Sequence, residues 1–268
     1  MTFINKRSIY GNENNACVLC EYKEELKLLK QLINLSEKLI GKQAKANVWS
    51  HDGICHFFAK TIVDYSKMAY DNILLGHLHA VNMISRACLE NLVCLDIIEN
   101  NQSFDLWKYY LVYSYRSAIY KAGRTPTNEE LDRLQEIYEN FNISEDFYIK
   151  QVDRKKAYIQ EQYGWTYKIN RNKQFTFKNI CDLSECSTEY KGFSLMSEFS
   201  HGTSFYTKIH SDVFIEDMMN ILINLYINLY RMITIYYEDE TSESFDKIAV
   251  KLEEIFYRYI NYEESINN

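Results

Sequence analysis

Proline occurs once and glycine eight times in 268 residues. Both residues interrupt helices, and folds made of many short strands need them at frequent turns. Their scarcity argues against a many-stranded sandwich or barrel and favours long helices joined by short polar connections. Several familiar chemical motifs are also missing. There is no phosphate-cradling glycine loop, no dinucleotide fingerprint, no Gly-x-Ser-x-Gly and no His-Glu-x-x-His. Nucleotide-dependent and common hydrolase mechanisms therefore have no visible footing. Internal repeats and low-complexity tracts are absent as well. The start, Met1 to Arg7, is short and polar rather than a secretory leader. Seven irregularly placed cysteines, an odd number, read as reduced thiols in a cytoplasm.

Apolar residues make up 47% of the chain and charged residues 25%, which is globular usage and excludes wholesale disorder. A formal charge of −7 speaks against a protein that coats nucleic acid with its whole surface, though not against one with a local basic patch. Met218 to Tyr237 has the length of a membrane span, but Asn220, Asn224, Asn228 and Arg231 fall near one face at helical spacing. Four such groups would be costly in lipid. The segment reads as an amphipathic core helix, and no membrane partner is expected. Its polar stripe, with Asp217, reads as a solvated face or as the lining of a cavity or subunit interface.

Apolar positions Leu26, Leu29, Ile33, Leu35 and Ile40 recur every three or four residues and predict a helix over 23–46. Further helices are predicted over about 55–71, 75–99, 103–123, 144–162, 179–200, 212–237 and 242–262. Ser103 suits an N-cap, and Thr127 with Glu130 forms a capping-box pattern that opens another helix. Between 165 and 178 the period changes to two: Trp165, Tyr167 and Ile169 alternate with polar residues, as do Phe175 and Phe177 beyond a polar turn. That pattern predicts a β-hairpin. The expected fold is all-α, a multi-helix antiparallel bundle of eight to ten helices with one small hairpin near 165–178. The expected organisation is an N-terminal arm, 1–22, followed by a single helical domain, 23–268.

Three groups of residues could carry chemistry. Arg86 and Glu90 lie four apart in an apolar helix, so they share a face and can pair. The pair either fixes helix register or lines a polar pocket. His201 ends a helical run that contains Ser197 one turn earlier; it reads as a cap or as an acid/base group. The stretch 150–178 carries eight basic residues against Asp153 and Glu161, a net charge of +6. Arg154, Lys155, Lys156, Lys168, Arg171 and Lys173 are interleaved there with Trp165 and other aromatic rings. Cations for phosphate and rings for base stacking suit single-stranded RNA; the plainer reading is a hairpin whose aromatic face packs on the helices. Finally, Cys17 and Cys20 could join His51 and Cys55 around zinc, with free thiols and core cysteine as the alternative.

Arg86-x-x-x-Glu90 on a central helix, the Trp165 segment, and Tyr190 leading into Ser197-x-x-x-His201 resemble a bacterial all-helical family catalogued as domain of unknown function 5677. The similarity spans roughly 55–235. It implies an all-α fold in which the Arg/Glu pair and the histidine approach one another, and it implies no particular reaction. Helical ribonucleases of toxin and abortive-infection systems carry an arginine four to six residues before a histidine. No arginine here has that spacing.

Two functions follow as expectations. One is an RNA- or nucleotide-directed effector, such as a nuclease of a bacterial defence or toxin-type system, with His201 as acid/base, Arg86 stabilising phosphate charge and Glu90 orienting them. The other is a non-catalytic module that binds a partner protein, a second copy of the chain or a small ligand. No cofactor is expected apart from the zinc alternative.

Overall fold

The structure is a computed structural model that describes residues 22–42, 47, 49–120, 124–143, 162–170, 175–184, 186, 212–237 and 243–266. The expected helices over 144–162 and most of 179–200 lie outside them. Among the described residues the structure is all-helical: α1 (Lys23–Lys42), α2 (His51–Leu75), α3 (Leu78–Asn100), α4 (Leu106–Ile119), α5 (Asn128–Asn140), α6 (Phe177–Leu183), α7 (Asp212–Tyr236) and α8 (Glu243–Ile266). Short 3-10 turns occupy Gln102–Phe104 and Gly164–Thr166. No described helix is long and apolar enough to cross a membrane.

The chain divides into two compact units. One draws on Met1–Ala44, Phe58–Leu92 and Glu189–Asn268, the other on Lys45–Phe57 and Val93–Thr188. Helices α2 and α3 thus contribute residues to both. In the first unit α1 packs along α7 and touches α8. Leu29, Leu32 and Ile33 of α1 are fully buried, as are Leu222, Leu225 and Leu229 of α7. Each such side chain contributes about 1.5–3 kcal/mol through removal from water. The Tyr226 hydroxyl donates to the backbone carbonyl of Glu25 and so ties α7 to α1. Glu24 and Glu25 in the first turn of α1 and Lys42 in its last complement the helix dipole.

The helix ends follow local chemistry. Gly76 has a φ of 74°, a left-handed conformation that costs glycine little. Its N–H reaches Ile73 O, and the His77 N–H reaches Asn72 O. This Schellman pair closes α2. Asn142, with a φ of 49°, ends α5 in the same way. The Thr127–Glu130 capping box opens α5 as its sequence predicts. Ser103, by contrast, sits inside a 3-10 turn, and the residue that precedes α4 is Asp105 in a left-handed conformation.

The hairpin expected near 165–178 does not form at the described positions. Tyr163, Gly164, Trp165 and Thr166 are buried in succession, around a 3-10 turn closed by Thr166 Oγ1 donating to Tyr163 O at 2.7 Å. Consecutive burial is incompatible with a strand that shows alternate residues to solvent. Beyond it, the Thr176 hydroxyl accepts from the Asn179 N–H and starts α6 at Phe177. The apparent period of two came from aromatic residues that pack separately. Trp165 meets Tyr110 edge-on at 5.5 Å between centroids, and Tyr163 lies 5.9 Å from Phe177.

Truncation of Leu32 to Ala should destabilise the protein by about 2–5 kcal/mol, as for other fully buried leucines. Leu75→Ala, at a half-exposed position, should change stability by less than about 0.5 kcal/mol. Urea denaturation followed by circular dichroism checks both.

Candidate functional site

Helix α3 is largely apolar and buried: Val81, Cys88, Leu89, Leu92 and Val93 are all at or near zero exposure. Arg86 and Glu90 interrupt this surface. Arg86 Nε donates to Glu90 Oε1 at 3.4 Å, and the two side chains keep 28% and 31% of their surface exposed. The pair is therefore neither sealed in the core nor fully solvated. Burial pushes the Glu90 carboxyl above its ordinary value near 4.5, and the opposing pull of Arg86 does not cancel it. Polar neighbours accompany the pair on the same helix. Asn82 and Ser85 are buried, and Ser85 Oγ has no hydrogen-bond partner among the described residues. The Cys88 thiol lies 3.8 Å from Ser66 Oγ, and burial raises it to about 12. Cys88 is thus an inert core thiol rather than a nucleophile.

The polar stripe of α7 is only partly wet. Asn224 Nδ2 donates to Asn220 O at 2.8 Å, whereas Asn228 is buried and its Nδ2 has no partner among the described residues.

His201 lies outside the described residues, and so do Arg154, Lys155, Lys156, Arg171 and Lys173 of the basic stretch. Trp165 and Lys168 are described. Trp165 is 1% exposed, so its ring is covered by the unit's own core, where the sequence pattern had suggested base stacking. Lys168 Nζ sits 4.5 Å from the centroid of the Tyr109 ring, a cation–π contact that holds the 3-10 segment to α4.

Of the residues read as zinc ligands, Cys17 and Cys20 are outside the described set, while His51 and Cys55 come together on the first turns of α2. His51 Nε2 is 3.8 Å from Cys55 Sγ. The structure adds a residue that the sequence reading missed: Glu99, whose Oε2 is 3.7 Å from His51 Nε2. The Cys55 thiol is driven strongly upward by burial and, next, by the charge of Glu99. Another missed residue is Asp96, a buried carboxylate on α3 that accepts from Asn100 Nδ2 at 3.2 Å. Glu99 had no local signal, since it stands 44 positions after Cys55. Its placement becomes readable once Gly76 is known to reverse the chain. Ser66 then meets Cys88, and farther from the turn His51 meets Glu99.

These features define an all-helical protein with two polar clusters, Arg86 with Glu90 on α3 and His51 with Cys55 and Glu99 on α2 and α3. The chain belongs to the family of unknown function DUF5677, whose model matches residues 51–217, more than half of the chain. That span includes Arg86, Glu90, His51, Cys55, Glu99 and His201 by position. No curated protein and no solved structure matches the chain.

The Glu90 environment makes a signed prediction. An acid whose pKa is raised on folding stabilises the protein fully below its unfolded pKa, and that contribution fades as pH rises through the folded value. Glu90→Gln mimics the protonated form. Relative to wild type, the variant should therefore gain stability as pH is raised from about 4 towards 7. A stabilising ion pair would give the opposite trend. Thermal melts of both proteins at several pH values decide the sign.

Proposed function

We propose that the protein binds a phosphate-bearing ligand, with RNA as the leading class, at the Arg86–Glu90 site, and acts on it there. The observation that carries this reading is the half-exposed Arg/Glu pair on an otherwise buried helix, with the carboxyl held above its usual range. Groups whose ionisation is displaced by burial against a charged partner are concentrated at functional sites. Arg86 would neutralise a phosphate, and Glu90, its carboxyl raised by burial, would serve as a proton carrier. His201, which lies outside the described residues, is assigned the acid/base role. The choice of RNA rests on the net charge of +6 over 150–178 in a chain of net −7. A cytoplasmic effector of a bacterial defence or toxin-type system is the setting that fits such an activity.

A second reading is a non-catalytic module that binds a partner protein or a small ligand, with Arg86 and Glu90 as a structural pair. The i,i+4 spacing favours it, because this contact needs no ligand to form.

The two readings separate on Arg86→Ala. Under the first, affinity for a labelled single-stranded RNA should fall roughly tenfold or more. The salt dependence of log Kd should also lose about one phosphate contact, near 0.7 in slope. The melting temperature should change little. Unaltered RNA binding and turnover in Arg86→Ala, Glu90→Gln and His201→Ala, or no RNA binding by the parent, contradicts the first reading.

A further inference from the structure

Donor atoms from two helices converge within the unit that draws on Lys45–Phe57 and Val93–Thr188. His51 and Cys55 stand one turn apart at the start of α2, and Glu99 reaches them from the last turn of α3. The imidazole nitrogen, the thiol sulfur and a carboxylate oxygen all lie within 4.8 Å of one another. We propose that these residues form a zinc site, with His51 Nε2, Cys55 Sγ and the Glu99 carboxylate as ligands and water in the fourth position. It is independent of the Arg86–Glu90 reading.

The two distances from His51 Nε2 are close to those of a loaded site. Zinc–ligand bonds of about 2.0–2.3 Å at tetrahedral angles place neighbouring donor atoms roughly 3.4–3.6 Å apart. The observed separations from His51 Nε2, 3.8 Å to sulfur and 3.7 Å to oxygen, need to contract by only a few tenths of an ångström. The donor set is also selective. A thiolate and an imidazole favour zinc over magnesium or calcium, which prefer oxygen ligands.

Neighbouring residues orient the donors as the outer shell of a metal site does. Asp52 Oδ1 lies 3.3 Å from His51 Nδ1. A proton held on Nδ1 by that carboxylate leaves the Nε2 lone pair facing Cys55 and Glu99. Gln102 Nε2 donates to Glu99 Oε2 at 3.1 Å and fixes the carboxylate. Cys55 is fully buried beneath, while the His51 and Glu99 side chains keep 23% and 16% of their surface exposed, which gives an ion a path in from solvent. On binding, the Cys55 S–H bond breaks, its proton leaves to solvent, and the thiolate electron pair forms the bond to zinc. A thiol and a carboxylate that repel as anions then become joint ligands of one cation.

The full chain, stripped with a chelator, is titrated with Co²⁺ as a spectroscopic probe. One equivalent should bind, with a thiolate-to-cobalt charge-transfer band in the near ultraviolet, and Zn²⁺ should displace it. Cys55→Ser should abolish the band. His51→Ala and Glu99→Gln should weaken binding tenfold or more, and Asp52→Asn by about ten- to hundredfold. As a check that does not rely on the buried Cys55 variant, Zn²⁺ should raise the melting temperature of the parent but not of His51→Ala. The proposal is overturned if no stoichiometric binding occurs. It is overturned equally if the band survives Cys55→Ser and is lost in a Cys17→Ser/Cys20→Ser variant.

Discussion

A polar group on a long apolar helix must find its partner within the protein, and the rest of this structure depends on that constraint. With one proline and few glycines, the chain places most of its described residues in helices, several of them more than twenty residues long. Apolar faces of that length cannot be free of polar residues, and an unpartnered buried polar atom costs about 1–3 kcal/mol. The common solution is local. Ser36 bonds Leu32 O, Ser66 bonds Ile62 O and Asn91 bonds Ala87 O, each one turn back along its own helix. Back-bonding of this kind lets a helix bury a hydroxyl or amide without help from elsewhere.

Charged and metal-ligating groups cannot be satisfied in this way, because a helix offers them no counter-charge in its own carbonyls. Arg86 and Glu90 pair along α3 and remain half exposed, and the residual cost of burial falls on the carboxyl. At the other end of the same helix Glu99 faces a buried thiol and an imidazole instead of a guanidinium. The two places differ in what would relieve them: the first presents a cation beside a proton carrier, the second a ready set of donors for a cation. We propose an external ligand at each: a phosphate-bearing one at the first and a metal cation at the second.

Most of the described helices and the cap at Thr127 were legible in the sequence because they depend on neighbours one turn away, though the cap expected at Ser103 was not found. The apolar spacing of α1 and the Thr127–Glu130 box are of this kind, and so is the Arg86–Glu90 contact. The hairpin misread at 165–178 shows the weakness of period alone. Alternating aromatic residues signal a strand only if one face is wet, and the burial of four consecutive residues at 163–166 is a property of tertiary packing against α4. Glu99 was invisible for a related reason. Its partners His51 and Cys55 are brought to it by the turn at Gly76, and no spacing rule spans that distance. His51 and Cys55 were legible together as candidate ligands; the structure sets Glu99 of α3 beside them, and the ion that would join the three is our proposal.

X-ray absorption at the zinc edge, on the full chain loaded with one equivalent of Zn²⁺, tests most directly whether the cluster on α2 and α3 is completed by a cation. The account predicts a first shell of a single sulfur at about 2.3 Å with nitrogen and oxygen donors at about 2.0–2.2 Å. A shell of two or more sulfurs, or of oxygen and nitrogen alone, would contradict it.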